Sequence, residues 1–222
     1  MGCTDMVFLW YVARSSNVNR PATDRYQAKS NRPYNVFMQL VPWVELMVCW
    51  FAWIYPFLFR APHFQKRPSI TASKPSLAGL FLEGLGIFIA FVFRLPPDTP
   101  PGTARVAASA IFAVLAAVLS WTSVRHLGRQ FRIQAGLYED HKLIRIGPYA
   151  VVRHPIFASL LAALLCTLLL LTPWQWCVVS LALFLAGTEI RIRTEEHLLA
   201  SRFPDEFREY RHKVYAYVPF VR

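Results

Sequence analysis

Charge is scarce in this sequence, and its scarcity excludes an ordinary soluble fold. Only 17% of the 222 residues are charged whereas 55% are apolar, and the apolar residues come in long blocks instead of at amphipathic spacing. A helix needs roughly 20 apolar residues to cross the hydrocarbon core of a bilayer. We therefore predict an integral membrane protein.

Strand-like alternation is missing as well. The apolar blocks show no period of two, and backbone that crosses lipid must be helical or part of a closed barrel. The sequence predicts an all-α membrane bundle of about five transmembrane helices with a C-terminal cytosolic helical segment. Only Thr172 and Pro173 separate the last two spans, which predicts a tight hairpin of two short helices. The predicted spans are Val36–Phe59, Leu77–Phe93, Ala104–Val124, Ile156–Leu171 and Trp174–Ile190.

The usual patterns of metal sites and nucleophiles are also missing. The six histidines show no HxxxH spacing, and neither a glycine-rich phosphate loop nor a Ser-His-Asp or Cys-His arrangement is present. The stretch "GLGIFIA" at 84–90 lies inside a span, where glycines predict close helix packing. The cysteines follow neither disulfide nor metal spacing, and most lie in spans as small apolar residues: Cys3, Cys49, Cys166 and Cys177.

The net charge of +11 does not predict nucleic-acid binding, because the basic residues lie in the gaps between spans. Loops 60–76 and 125–153 are basic, whereas loop 94–103 has one arginine and one aspartate. The positive-inside rule places the basic loops and the C-terminal tail in the cytosol, beside anionic headgroups. The N-terminus is basic too, which conflicts with a single crossing by the first block. Either that block is re-entrant or the number of spans differs by one.

Polar residues become frequent at the ends of apolar segments after Val124. This change in character predicts a polar N-terminal segment (1–35), a scaffold of membrane helices (36–124), and a catalytic region that contains the hairpin and the cytosolic tail (125–222). A helix break is predicted at Pro204, before a charged helix that includes Arg208 to Lys213.

The run "GPYAVVRHPIFASLL" at 147–161 places a cation and an imidazole at the start of a membrane helix. Gly147-Pro148-Tyr149 predicts a turn, and Pro155 suits the first turn of a helix, where its missing N–H would have no partner. A purely structural interpretation has Pro155 start the helix while Arg153 reaches the lipid headgroups. A binding interpretation uses the helix N-terminus, which favours an anionic group.

A second polar group follows the hairpin. Arg191 and Glu195 are four residues apart and share a helix face, whereas Glu189 and Arg193 predict a modest surface ion pair. Because the hairpin is tight, its two polar ends should meet at the cytosolic mouth of the bundle. Such a site suits a ligand with a diol or ammonium group for the glutamate, an aromatic base, and a carboxylate for an arginine.

The segments "HKLIRIGPYAVVRHPIF" and "RIRTEEHLLASRFPDEFREYRHKV" resemble the membrane isoprenylcysteine carboxyl methyltransferases and their phospholipid methyltransferase relatives. The shared pattern is a Gly-x-Tyr turn, Arg-His-Pro-x-Tyr, a hairpin, paired glutamates and a Tyr-rich basic tail. The resemblance covers residues 125–222, and the closing "VPFV" at 218–221 favours the prenylcysteine branch.

This resemblance implies S-adenosylmethionine as the cofactor. Arg191 would be the catalytic residue that holds the acceptor carboxylate, assisted by Arg153. Two positions depart from the family: Phe157 stands where Tyr is usual, and Ser159 where Gly is common. The implied cofactor-binding residues are Gln134, His141, Lys142, Leu143, Ile144, Tyr149, His154, Pro155, Ile156, Phe157 and Glu195.

The resemblance implies a carboxyl O-methyltransferase that forms the methyl ester of a C-terminal prenylated cysteine. The implied partners are prenylated protein C-termini or prenylcysteine lipids, together with membrane lipids; neither nucleic acid nor metal is expected. The implied location is the endoplasmic reticulum membrane, with the site facing the cytosol. The alternatives are a phospholipid N-methyltransferase, a sterol-reductase-like membrane oxidoreductase with a nicotinamide cofactor, and a membrane scaffold whose site has decayed.

Overall fold

The computed structural model describes residues 36–59, 75–96, 99–128 and 142–218, and these residues are mainly helical. Their helices are α1 Val36–Phe59, α2 Pro75–Val92, α3 Thr103–Leu127, α4 Pro155–Leu171, α5 Trp174–Arg202 and α6 Pro204–Lys213, with a 3-10 turn, Gly147–Ala150, before α4. Strand-like pairing in the described residues is limited to one parallel bridge between Val152 and Tyr215. The all-α prediction is confirmed.

The predicted N-terminal polar segment lies outside the described residues, and the proposed division at Val124 stays a prediction.

Among the described residues, four helices are long and apolar enough to cross a membrane: Leu40–Phe59, Pro75–Val92, Thr103–Leu127 and Trp174–Arg202. The remaining predicted span, Ile156–Leu171, corresponds to α4, which has 17 residues and is therefore about 25 Å long, a little shorter than a typical hydrocarbon core. The last predicted span, Trp174–Ile190, forms the first part of α5, which continues through the charged stretch as one helix to Arg202. The break predicted at Pro204 is confirmed, since α6 begins there.

Helix α4 lies in the middle of the bundle and is covered on both sides. One apolar cluster joins it to α1 and α3: Leu46, Cys49, Ala116, Ala162, Ala163, Cys166, Leu170 and Leu171. A second cluster joins it to α2 and α5: Ala90, Leu164, Leu168 and Phe184. The most extensive helix–helix contacts are between α3 and α4 and between α2 and α5, whereas α4 and α5 make few contacts with each other. The hairpin is therefore present, but each of its helices has its main neighbour elsewhere.

The hairpin turn is tied to the loop between α2 and α3. Arg105 donates hydrogen bonds to the carbonyls of Leu168 and Thr172, at 2.9 and 2.8 Å. The Leu95 N–H donates to the carbonyl of Leu171 at 2.6 Å. The carbonyls of Leu171 and Thr172 lie at the end of α4, where helix geometry provides no intrahelical donor, whereas the Leu168 carbonyl also accepts from the Thr172 N–H. The loop after α2 thus lies at the turn end of the hairpin, opposite the end where α4 begins.

Polar side chains within the spans bond to each other across helices. Trp50 donates to the Thr167 hydroxyl at 3.0 Å, and Trp53 donates to the Ser159 hydroxyl at 2.9 Å. These bonds satisfy groups that lipid would leave without partners. Ser159, which stands where the family often has glycine, therefore anchors α1 to α4.

Glycines allow α2 and α5 to approach closely. A Cβ on Gly86 would lie 2.7 Å from the carbonyl oxygen of Ser180, and the Ser180 hydroxyl already donates to the Gly86 carbonyl at 2.7 Å. Gly84, by contrast, has open space around it. The packing role predicted for the 84–90 stretch is thus confirmed at Gly86.

The outer faces of the long helices are apolar and exposed, as expected of surfaces that contact lipid tails. They include Val44, Met47, Val48, Phe51, Phe81, Phe88, Ile111, Val114, Val118 and Val178.

Candidate active site

The turn before α4 is shaped by Gly147 and Pro148. Gly147 has a φ of +63°, which L side chains adopt rarely. A Cβ there would also lie 2.5 Å from the Nε2 atom of His126, near the end of α3. The 3-10 turn that follows buries Tyr149 and leads to His154, the residue before the first turn of α4. The predicted turn and the predicted role of Pro155 as helix start are both confirmed.

The C-terminal tail after α6 is bound to the backbone of this turn. The N–H groups of Arg153 and His154 donate to the carbonyls of Tyr215 and Ala216, each at 2.7 Å. The Tyr210 hydroxyl donates to the Tyr149 carbonyl at 2.5 Å, and burial raises the pKa of Tyr210 to about 12. The tail and the turn therefore form one unit, although they are far apart in the sequence.

The side chain of Arg153 is buried at the centre of this unit. It donates two hydrogen bonds to Glu196 Oε1, at 3.1 and 2.7 Å. It also donates to the backbone carbonyls of Arg211 and Val214. A planar guanidinium suits several acceptors at once. Arg153 thus links the start of α4, the end of α5 and the tail, which is a positioning role; its assistance to an acceptor stays a prediction.

His154 lies between the paired glutamates of α5. Its Nδ1 atom is 3.4 Å from Glu195 Oε2, and its Nε2 atom is 3.5 Å from Glu196 Oε1 without hydrogen-bond geometry. Burial lowers the pKa of His154, but the two adjacent carboxylates raise it by more, so the net shift is upward. The imidazole therefore favours its protonated form more than a free histidine does.

Tyr149 adds a hydroxyl to the same site. The side chain is buried, its hydroxyl has no hydrogen-bond partner among the residues that the structure describes, and burial raises the pKa of the phenol, with a further increase from the charge of Glu195. Buried hydroxyls are rarely left without a partner. The tyrosine is thus suited to bind a polar ligand group beside Glu195, whose side chain is 26% exposed.

Arg191 of α5 lies at the edge of the site that faces α2. Its guanidinium is bonded to Glu83 of α2 at 2.5 Å and lies 4.6 Å from the centre of the Phe157 ring. The Phe157 ring centre is in turn 5.8 Å from that of His154. Phe157, which departs from the family's usual tyrosine, therefore separates a buried arginine from the histidine and makes a cation–π contact with it.

The structure brings most of the predicted site residues to one end of the bundle. The residues that it groups there are Tyr149, Arg153, His154, Pro155, Phe157, Arg191 and Glu195. Lys142, Leu143 and Ile144 precede the turn and are more exposed, and Ile156 is half-buried in the first turn of α4. Gln134 and His141 lie outside the described residues. Glu189 and Arg193 form the predicted surface pair, at 2.7 Å.

Three residues of the observed site were not among the predicted site residues: Glu83, Glu196 and Tyr210. Glu83 is the only charged residue in its span, which is a signal for function or a buried partner. Glu196 follows Glu195 directly and differs from it in facing Arg153. No sequence signal ties Tyr210 to the turn, because 61 residues separate it from Tyr149.

An open groove of about 600 Å³ borders the site on the side of α6. It is lined by Arg193, Glu196, His197, Ala200 and Arg211. Within the described residues, no three His, Cys, Asp or Glu side chains are grouped so that they could hold a metal ion. The site therefore offers two buried guanidinium groups, the paired carboxylates of Glu195 and Glu196, an imidazole and the Tyr149 phenol around an accessible edge, a set suited to binding a charged, polar ligand.

Stability should depend on pH through His154. Its folded-state pKa is raised above 6.5, so its interactions with Glu195 and Glu196 stabilise the fold fully below the unfolded pKa and are lost as the pH rises through the folded pKa. We expect the thermal midpoint of the detergent-solubilised protein to fall as the pH increases from 6 to 8.5. His154→Gln should remove this part of the pH dependence. An unchanged slope in the variant would contradict the assignment.

Part of the chain is similar to known proteins. Residues 109–201 match the model of the isoprenylcysteine carboxyl methyltransferase family. Protein-S-isoprenylcysteine O-methyltransferase B of Arabidopsis thaliana is 32% identical over 111 residues, which are 49% of this chain and 56% of that relative. The chain thus spans about half the length of the relative that it matches. The matched stretch contains the turn, α4 and nearly all of α5, and the resemblance stated from the two motifs is confirmed there.

Proposed function

We propose, from the premise that residues 109–201 belong to the isoprenylcysteine carboxyl methyltransferase family, that this protein methylates the carboxylate of a prenylated cysteine. One structural observation carries the proposal: Arg191, His154 and Glu195 converge at one end of an apolar bundle. A lipid-linked carboxylate has both properties that this arrangement suits. Its lipid can lie among the helices, and its anionic end can meet the arginine.

The donor that we propose is S-adenosylmethionine. Its ammonium, ribose diol and adenine match the groups that Tyr149, His154 and Glu195 offer, and the buried Tyr149 hydroxyl has no partner in the described part of the chain. The paired carboxylates of Glu195 and Glu196 also favour a cationic ligand. When bound, this donor supplies an electrophilic methyl group on a positively charged sulfur. The other cofactor-binding residues implied by the resemblance stay predictions.

Arg191 is the residue that we assign to the acceptor carboxylate. A guanidinium can bind both oxygens of a carboxylate, which fixes its orientation as well as its position. Carboxylates have pKa values near 4, so the acceptor is already ionised at neutral pH and needs no general base. The task of the protein is then to hold two reactants in line, for which proximity and orientation supply much of the rate enhancement.

The surroundings of the site support a substrate that enters from the membrane. The end of the bundle with α4's N-terminus carries the charged residues, whereas the flanks of α1, α2 and α3 expose apolar side chains to lipid. We propose that prenylated protein C-termini or prenylcysteine lipids are the acceptors, and that membrane lipids surround the bundle. We further propose an endoplasmic reticulum location with the site facing the cytosol, in agreement with the basic loops.

A radiolabelled-donor assay tests the function. Membranes that contain the protein are incubated with methyl-labelled S-adenosylmethionine and either a farnesylcysteine analogue or phosphatidylethanolamine. We expect label in the first acceptor, released as volatile methanol by base, because esters hydrolyse under conditions that leave N-methyl groups intact. Base-stable label in the phospholipid would instead identify an amine methyltransferase. The absence of label in both acceptors, with donor binding intact, would contradict methyl transfer to either class.

A further inference from the structure

A buried ion pair crosses from the second helix to the site. Glu83 of α2 and Arg191 of α5 lie 2.5 Å apart, and both side chains are largely excluded from the surface, with 1% and 9% exposed. The other Glu83 oxygen accepts a hydrogen bond from the Thr188 hydroxyl at 2.9 Å. Each carboxylate oxygen thus has its own partner. A buried carboxylate whose two oxygens are both bonded is expected to hold one geometry.

Gly79 makes room for the arginine one turn before Glu83. A Cβ at Gly79 would lie 2.6 Å from Arg191 Cγ and 2.7 Å from the Gly187 carbonyl oxygen. The arginine stem therefore lies directly over the backbone of α2. Gly79 shapes the space for the stem, and Glu83 bonds the guanidinium at its far end.

The guanidinium also contacts the site on its other flank. The Phe157 ring lies 4.6 Å from Arg191 Cζ, and Phe157 neighbours His154. Arg191 is thereby fixed between a carboxylate of α2 and an aromatic ring at the start of α4. Its rotamer depends on α2, a helix outside both sequence motifs and outside the matched residues 109–201.

We infer that Gly79 and Glu83 are positioning residues, which together form a cradle that aims the Arg191 guanidinium at the acceptor carboxylate. The inference rests on the proposed function, since it assigns to Arg191 the acceptor's anionic end. Glu83 then sets acceptor affinity through Arg191 and has no contact with the donor. A different role for Glu83 would be to reduce the positive charge of the site, in which case its neutralisation would strengthen acceptor binding.

The direct test is Glu83→Gln, with Glu45→Gln as its matched control. Glu45 is also a glutamate within a span and accepts a hydrogen bond from Ser109 at 2.6 Å, but it lies on α1, away from Arg191. We expect Glu83→Gln to raise the acceptor KM at least tenfold, with a smaller change in kcat and an unchanged Kd for S-adenosylmethionine. Glu45→Gln should leave all three near their wild-type values. An unchanged or lowered acceptor KM in Glu83→Gln would overturn the inference.

A second pair of variants tests the cradle with one methyl group. Gly79→Ala should displace Arg191 and raise the acceptor KM several-fold, whereas Gly84→Ala, which adds its methyl to open space, should not. Equal acceptor KM values in the Gly79→Ala and Gly84→Ala variants would overturn the inference. If neither Glu83→Gln nor Gly79→Ala folds, Thr188→Val decides in the same way, because it keeps both charges and removes only the hydrogen bond from Thr188 to Glu83. A wild-type protein without ester formation would contradict the proposed function itself, independently of these comparisons.

Discussion

Replacing Arg153 with alanine should unfold or severely destabilise the protein, at a cost of about 3–5 kcal/mol in the free energy of unfolding. Removing one partner of a buried ion pair leaves the other charge without compensation, and losses of this size are typical. Here Glu196 would lose two hydrogen bonds. The carbonyls of Arg211 and Val214 would lose their donor as well. Any folded fraction should also bind S-adenosylmethionine weakly, because the turn that carries Tyr149 and His154 is tied to the tail through this side chain.

The measurement is reversible unfolding in detergent or bicelles, followed by calorimetry with the donor on any folded material. Arg193→Ala is the matched control, because Arg193 lies on the same helix as Glu196 but is 72% exposed and pairs only with Glu189 in the described contacts. Exposed pairs contribute at most about 1 kcal/mol. Comparable losses in the two variants would show that Arg153 does not hold the tail to the turn.

Replacing Arg191 with lysine should reduce kcat/KM for the acceptor about a hundredfold, which is roughly 3 kcal/mol of transition-state stabilisation. Lysine keeps a positive charge for Glu83, so the fold should survive, but it lacks the planar pair of donors that a carboxylate requires. The Kd for S-adenosylmethionine should change by less than about threefold, corresponding to less than about 0.7 kcal/mol. Steady-state kinetics with a farnesylcysteine analogue and calorimetry with the donor separate the two quantities.

Glu195→Ala should affect the donor instead of the acceptor. We expect it to weaken donor binding by at least about tenfold, the loss expected for a hydrogen bond to a charged group. Its control is Glu189→Ala on the same helix, since the side chains of Glu189 and Glu195 are similarly exposed, at 28% and 26%. A loss of donor affinity in Arg191→Lys, or wild-type donor affinity in Glu195→Ala, would mean that the two ligands have been assigned to the wrong residues.

The helices were predictable because their signals are local. Long apolar blocks, Pro155 at a helix start and Pro204 at a break place α1 to α6 within a few residues of the observed bounds. The predicted exit of α5 from the membrane after Ile190 stays a prediction. Within the helix that continues there, Arg191 and Glu196 both face partners inside the protein.

The site was only partly predictable, because its key pairings join distant parts of the chain. The motifs correctly grouped Tyr149, His154, Arg191 and Glu195, but the sequence offered no means of pairing Arg191 with Glu83, 108 residues away. The tail is a similar case: its backbone bonds to Arg153 and His154 depend on atoms that every residue has. Side-chain identity cannot reveal such contacts.

The two departures from the family have different structural settings. Ser159 bonds to Trp53 and to the carbonyl of Ile156, so its hydroxyl is used within the bundle. Phe157 packs against the Arg191 guanidinium, where an aromatic face is needed and a hydroxyl is not. Both residues therefore have structural roles, and neither contradicts the proposed chemistry.

The central claim is that a carboxylate, held by Arg191, receives the methyl group. Mass spectrometry of the product formed by the purified protein tests it most directly, with a farnesylcysteine analogue and its carboxamide counterpart as parallel acceptors. We predict that the analogue gains one methyl group, which fragmentation assigns to its carboxyl oxygen, and that the carboxamide gains none. Methylation of the carboxamide, or a methyl group on any atom other than a carboxyl oxygen, would contradict the claim.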